Sequence, residues 1–206
     1  MSGRDAFKAA ARGLATLAVV PALCSFWIRR PILGADRAIE GSTQALGLVP
    51  GLLGQYLRRA FLSQVLAHCA PTAAIAFGTT FSSVGARIDD RVYIGPNCHI
   101  GLVHVAHDVL IAPAVHIPSG RHVHGTGDLT IPIRDQPGAY QMVRIGAGAW
   151  IGAAAIVMAD VGSGTIVAAG AVVTRTLPDN VMAGGVPARI LRARADGAVA
   201  NPAAER

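Results

Sequence analysis

Residues 88–117 read IDDRVYIGPNCHIGLVHVAHDVLIAPAVHI, and in them an aliphatic residue returns every five or six positions, at Ile88, Ile94, Ile100, Val105, Ile111 and Ile117. The series resumes at Ile145, Ile151, Val157, Val161, Val167 and Val173, with steps of 6, 6, 4, 6 and 6, and Ile75 and Phe81 extend it backwards. Gly or Ala often follows the aliphatic, as at Gly95, Gly101, Ala106, Ala112, Gly146 and Gly152. The fourth residue after it is often small or β-branched, as at Val92, Cys98, Val109 and Val115. Six residues advance about 600° on an α-helix, so a helix would walk this stripe around its own cylinder. A hairpin meander would need alternation broken by turn signals at longer intervals. Short parallel strands wound three to a coil, with stacked coils aligning the aliphatics in columns, satisfy the pattern.

Working outward, the composition agrees with a narrow prism. The chain has 206 residues, 52% hydrophobic but only 5% aromatic, which suits an interior with room for small aliphatics and few rings. Gly, Asn and Asp are expected at the corners, where positive φ is needed. Cys98 falls at an inward position and reads as core; Cys24, Cys69 and Cys98 have no metal or disulfide spacing, so free thiols in a reducing compartment are expected. The net charge of +6 would invite a nucleic-acid partner, but residues 71–190 carry seven Arg and seven Asp and sum to zero. The excess sits in residues 1–70, at +5, and no nucleic-acid binding is expected.

Residues 13–28, GLATLAVVPALCSFWI, carry no charge and lie between Arg4, Lys8 and Arg12 on one side and Arg29 and Arg30 on the other. Sixteen residues fall short of the roughly 20 that span hydrocarbon, and Pro21 is expected to kink or break a helix there. Leu23 before Cys24 is bulky for a lipoprotein-type cleavage site, and a secretory signal does not fit well. A second apolar run, Ala45–Leu53, leads into Tyr56–Ala67, where Leu57, Phe61 and Val65 with Arg58 and Arg59 predict an amphipathic helix. Arginine-edged apolar helices suit an anionic bilayer surface, so residues 1–60 are expected to make peripheral membrane contact. Packing on the rest of the protein or between subunits is the alternative.

The hexad spacing, Ile94-Gly95-Pro96-Asn97, Trp150-Ile151-Gly152, Val173-Thr174-Arg175 and the ending Gly184-Gly185-Val186-Pro187-Ala188-Arg189-Ile190 together resemble the hexapeptide-repeat acyltransferases over residues 71–192. Within that family the likeness is greatest to O-acetyltransferases of bacterial polysaccharide synthesis. The resemblance implies an all-β, left-handed parallel β-helix, an exception to right-handed crossovers, with an N-terminal helical segment and a short C-terminal helix. The expected division is residues 1–70 helical, 71–190 the β-helix domain with a loop at 118–142, and 191–206 a tail. It further implies acetyl-CoA as donor, no metal, a saccharide or lipid-linked saccharide acceptor in exopolysaccharide or capsule synthesis, and a homotrimer. Because acetyl-CoA is cytosolic, the cytoplasmic face of the inner membrane is the expected location.

The repeat is interrupted from Pro118 to Met142, and this stretch, PSGRHVHGTGDLTIPIRDQPGAYQM, holds more titratable variety than any other window. Family members carry a general-base His in this loop; His122 occupies that place, and His124, two residues on, is the alternative. An imidazole with a pKa near 6.5 is matched to taking the proton of an attacking hydroxyl. Asp128 or Asp135 could orient it. The resemblance puts CoA phosphates near Arg175 and Arg189, and pantetheine near Trp150, Gly152, Ala169 and Gly170. Guanidinium suits phosphate by its forked geometry. His99 and His116 precede inward aliphatics and are expected outward, in surface or subunit contacts. Two other readings compete: a gamma-type carbonic anhydrase using His99 and His104, five apart, and a non-catalytic β-helix scaffold.

Overall fold

The computed structural model describes residues 3–195, with side chains from residue 11 onward. Four helices come first: α1 (Gly3–Ala18), α2 (Val20–Leu33), α3 (Ala35–Gly47) and α4 (Gly51–Val65). The expected break in the apolar run falls at Val19, just ahead of Pro21, which sits in the first turn of α2 where its missing N–H is not needed. Among the described residues no single helix is long and apolar enough to cross a membrane; Ala11–Ala18 and α2 form a pair bent by 44°. The amphipathic helix expected over Tyr56–Ala67 begins earlier, at Gly51, and its Phe61, Leu62 and Val65 are buried. Phe61 meets Phe26 of α2 edge-on at 6.0 Å.

Residues 68–193 form a parallel β-solenoid of about six turns with three faces. The first face stacks His68–Cys69, Arg87–Ile88, Val103–Val105 and Val143–Ile145, and isolated bridges at Val161 and Leu177 continue it. The second stacks Ala74–Ile75, Tyr93–Ile94, Leu110–Ile111, Trp150–Ile151, Ile166–Val167 and Val181–Gly184. The third stacks Thr80–Phe81, His99–Ile100, His116–Ile117, Ile156–Val157 and Val172–Val173. Strands of two residues cannot persist alone; they hold because each coil hydrogen-bonds to the next and seals its aliphatic inside. Ile75, Ile94, Ile111, Ile151 and Val167 form one such buried column, each contributing about 1.5–3 kcal/mol of hydrophobic stabilisation.

Left-handed backbone appears at the corners as expected, at Asn97, Gly78, Gly170 and Asn180, and also at Arg91, Ala114 and Ala154, where sequence offered no such signal. Cys69 and Cys98 are buried and Cys24 is exposed, all three as free thiols.

Helices α3 and α4 close the N-terminal end of the solenoid. Ala38 and Ile39 are fully buried, Phe81 N donates to Thr43 Oγ1 at 3.1 Å, and Val84 N donates to Asp36 Oδ1 at 2.9 Å. At the other end Arg189–Ala193 is a strand, antiparallel to Val181–Gly184, and the expected short C-terminal helix does not begin within it. Residues 196–206, on which the rest of that expectation falls, lie outside the described residues.

Candidate active site

The loop of residues 118–142 leaves the solenoid where the third face passes to the first. In the later coils that corner is short: the step is four from Val157 to Val161 and from Val173 to Leu177. The loop's two legs pair, with Gln141 N donating to Ser119 O at 2.9 Å and Ala139 N to His122 O at 2.7 Å. Its tip is organised by Gln136, a buried amide that donates to Asp128 O at 2.6 Å and Ile131 O at 2.8 Å and accepts from Asp128 N at 3.1 Å. Nothing in the sequence pattern marked Gln136.

Two cavities flank the loop. One, of about 640 Å³, lies over the short corners and is lined by Arg121, Arg144 and Arg175 together with Asp160, Met142 and Met158. Arg144 Nη1 lies 3.9 Å from Asp160 Oδ2, so three guanidiniums face a single carboxylate. Such a surplus suits a diphosphate or phosphomonoester, which guanidinium grips in a fork. Arg144 is the outward residue before inward Ile145, a position the hexad rule could have identified, and Arg121 opens the loop. The other cavity, about 440 Å³, is a cleft between α3 and the loop, and His124 lines it.

The two loop histidines therefore have different surroundings. Arg121 Nε donates to His122 Nε2 at 2.8 Å, and Arg121 Nη1 reaches Thr174 O at 3.4 Å beside Arg175. The accepting Nε2 carries the lone pair a base requires. The orienting role expected of a carboxylate is not present in this arrangement. Asp135 lies in a short 3-10 turn, its Oδ2 3.5 Å from Arg134 Nε. Asp128 accepts from the Thr130 hydroxyl at 2.6 Å and from its N–H at 2.8 Å, contacts that hold its pKa below the ordinary carboxylate value.

Of the residues expected at the donor, Arg175 joins the arginine-lined cavity and the others do not. Trp150 is half exposed on the second face between Leu110 and Ile166. Gly152, Ala169 and Gly170 lie at the corner between second and third faces. A Cβ on Gly152 would sit 2.5 Å from Ala169 N, so coil stacking alone requires that glycine. Arg189 is exposed at the start of the last strand, with Nη1 on Ala188 O at 3.3 Å.

His99, expected in a surface contact, is half-buried and lines the smaller cavity, with Nδ1 3.0 Å from Thr80 Oγ1. Burial pushes its pKa below the usual histidine value; neighbouring His116 adds to this and Glu40 opposes it. His104 lies on a different face, with Nε2 3.0 Å from Asp89 Oδ2, so the spacing that favoured an anhydrase does not bring the two rings onto one face. Among the described residues no three His, Cys, Asp or Glu side chains are placed to hold a metal ion.

A solenoid of hexads bearing an extended loop at one corner defines the hexapeptide-repeat acetyltransferases, and the chain belongs to that family. It is 32% identical over 135 residues to the galactoside O-acetyltransferase of Escherichia coli (strain K12), covering 54% of this chain and 64% of that protein. To the putative lipopolysaccharide biosynthesis O-acetyl transferase WbbJ of the same organism it is 30% identical over 142 residues, 58% of this chain and 71% of that one. Among solved structures, a hexapeptide-repeat-containing acetyltransferase from Vibrio cholerae shares the fold with a TM-score of 0.66 at 22% identity, covering 77% of this chain and 92% of the other. A galactoside acetyltransferase in complex with coenzyme A shares it with a TM-score of 0.52 at 21% identity, covering 77% and 80%. The fold is the left-handed parallel β-helix of these neighbours. No family model matches the chain.

Proposed function

We propose that the protein is an acetyl-CoA-dependent O-acetyltransferase that modifies a hydroxyl of a saccharide, in exopolysaccharide or capsule synthesis. The observation that carries this reading is the convergence of Arg121, Arg144 and Arg175 on one cavity beside the loop bearing His122. The guanidiniums hold the donor's phosphates, and the thioester reaches toward the loop. Arg121 gives up its contact to the incoming hydroxyl, whose proton passes to His122 Nε2 as its oxygen attacks the thioester carbonyl carbon. Collapse breaks the C–S bond, and the proton moves on to the departing CoA sulfur. No acyl-enzyme forms.

The same reading includes assembly and location. Tyr93, Leu110 and Trp150 stack outward on the second face, each more than a third exposed, which supports a homotrimer in which another copy covers them. Leu14, Leu17, Trp27, Ile28 and Ile32 of α1 and α2 are exposed, and Arg30 lies over the Trp27 ring at 4.8 Å. That combination supports peripheral attachment to an anionic leaflet at the cytoplasmic face of the inner membrane, where a lipid-linked acceptor would also lie.

Calorimetry with acetyl-CoA tests the donor side: Arg175→Ala should weaken binding about tenfold. His122→Ala should cut turnover by about 10²- to 10⁴-fold with binding unchanged. Wild-type protein that does not bind acetyl-CoA overturns the reading; near-normal turnover in His122→Ala assigns the base to His124 instead.

A further inference from the structure

The smaller cavity has walls from two parts of the chain that the repeat alone does not join. Asp36, Arg37 and Glu40 come from α3; His99, His124 and Tyr140 come from the third face and the loop. We propose that this cavity is the acceptor site, that α3 selects the acceptor, and that the sugar it takes is neutral or amino-substituted rather than acidic. The inference rests on the transferase reading above and adds which residues choose the substrate.

Charge separates the two cavities. The donor side sets three guanidiniums against one carboxylate, whereas here two carboxylates face one guanidinium. Half-burial pushes the His99 pKa down, which disfavours a positive charge there that would offset the carboxylates. A carboxylated sugar is repelled by this balance, while hydroxyls or an ammonium group are accepted by it. The diphosphate of the donor is drawn to the opposite side of the loop, so the two substrates do not compete for one pocket.

The polar groups also suit a ring with several hydroxyls. Arg37 offers a fork of donors and Glu40 two acceptor oxygens. His99 Nδ1 is occupied by Thr80 Oγ1 at 3.0 Å, which leaves Nε2 for the cavity. Asp36 is fixed through Oδ1 by Val84 N, and α3 itself is pinned by the Thr43–Phe81 hydrogen bond, so the wall is set before the sugar arrives. Tyr140, 70% exposed, supplies an aromatic surface for the C–H face of a pyranose. The leg carrying residues 121–124 contributes to both cavities, Arg121 to the first and His124 to the second, with His122 between them in the chain.

Full-length protein, saturated with acetyl-CoA, should be assayed on methyl glycosides of a neutral hexose, a hexosamine and a hexuronic acid. The uronate is expected at least about tenfold below the other two in kcat/KM. Glu40→Gln and Arg37→Ala should each raise the acceptor KM about tenfold with kcat and acetyl-CoA affinity unchanged, and Glu40→Lys should relax the exclusion of the uronate. If the wild type turns over but both substitutions leave acceptor KM unmoved, or the uronate is preferred, the inference fails and the transferase reading stands. If acetyl-CoA binds and none of the three sugars is acetylated, the sugar class is wrong. If acetyl-CoA does not bind, both fall together.

Discussion

Among the described residues Arg58 is the largest fully buried side chain, 2% exposed, and it has no carboxylate partner there. Its Nε donates to Ile75 O at 3.0 Å, and its Nη1 to Leu46 O at 3.1 Å and Val49 O at 2.8 Å; Nη2 is buried without a partner. One guanidinium thus ties the end of α3 to the first coil from within α4. Arg58→Met keeps the stem and removes the head. The Ile75 carbonyl is then buried and unpaired, costing about 1–3 kcal/mol, while the two part-buried carbonyls recover water and cost less. Relief of the guanidinium's own desolvation, the cause of its lowered pKa, offsets part of this.

With the smaller carbonyl costs and the relieved desolvation roughly cancelling, the net expectation is a loss of about 1–3 kcal/mol, or roughly 2–12 °C in Tm for a chain of this size. Because α3 walls the smaller cavity, acceptor KM should rise while acetyl-CoA affinity holds. Gly54→Ala supplies an independent perturbation of the same clamp: its Cβ would collide with Val49 O and meet Arg58 Nη1 at 2.7 Å. Thermal unfolding by circular dichroism, with acceptor and donor titrations on the surviving protein, reads both effects. An Arg58→Met protein as stable as wild type would mean that desolvation outweighs the three bonds, and the clamp argument would be refuted.

Gln136→Ala removes three hydrogen bonds that organise the loop tip, and should lower turnover at least about tenfold while shifting Tm by less than about 2 °C, since the tip lies outside the solenoid. For His99, the folded pKa is depressed, so the unfolded chain binds more protons. Its contribution to stability is complete above the unfolded value near 6.5 and declines as pH falls below it; urea unfolding at pH 7.5 and 5.5 should show that decline, and His99→Gln should flatten it. Burial pushes the Cys69 thiol up to about 12 and Cys98 upward also. A colorimetric disulfide reagent at pH 8 should therefore titrate one thiol, Cys24, in native protein and three after unfolding; two or more fast native thiols would contradict the packing.

The solenoid was legible because its period is a property of neighbouring residues: Ile88, Ile94 and Ile100 each announce one face, and no long-range information is needed to stack them. The step of four between Val157 and Val161 was legible as a break in rhythm, though not as a short corner that recurs at Val173–Leu177 and underlies a cavity. The loop declared itself by interrupting the hexads, yet its internal order did not. Gln136 is an unremarkable glutamine until the chain folds back on residues 128 and 131. His99 was readable as outward-facing, but what it faces is α3, more than fifty residues earlier in the chain, and hexad spacing says nothing about where a separate helical segment docks. Arg121 and Arg144 illustrate the same limit: each is a plain exposed arginine by pattern, and only the winding of the coils puts them on one cavity with Arg175.

The charge of the first seventy residues shows how far composition can mislead about a surface. Of its arginines, Arg58 is sealed inside the protein, Arg59 lies over Tyr56 at 4.7 Å, Arg29 donates to Ser42 Oγ at 2.7 Å, and Arg37 faces the smaller cavity. Half of the basic residues counted as a lipid-facing excess thus hold helices together or line a pocket. Of the basic residues whose side chains are described, Arg12 and Arg30 remain, Arg30 beside exposed Trp27, Ile28 and Ile32. Attachment to a bilayer through this end would therefore depend more on the apolar face of α2 than on net charge, and salt would weaken it less than the +5 of the sequence implies. Under the proposed function, the helical segment would present one side to the membrane and another, through α3, to the acceptor, while the solenoid would hold the donor.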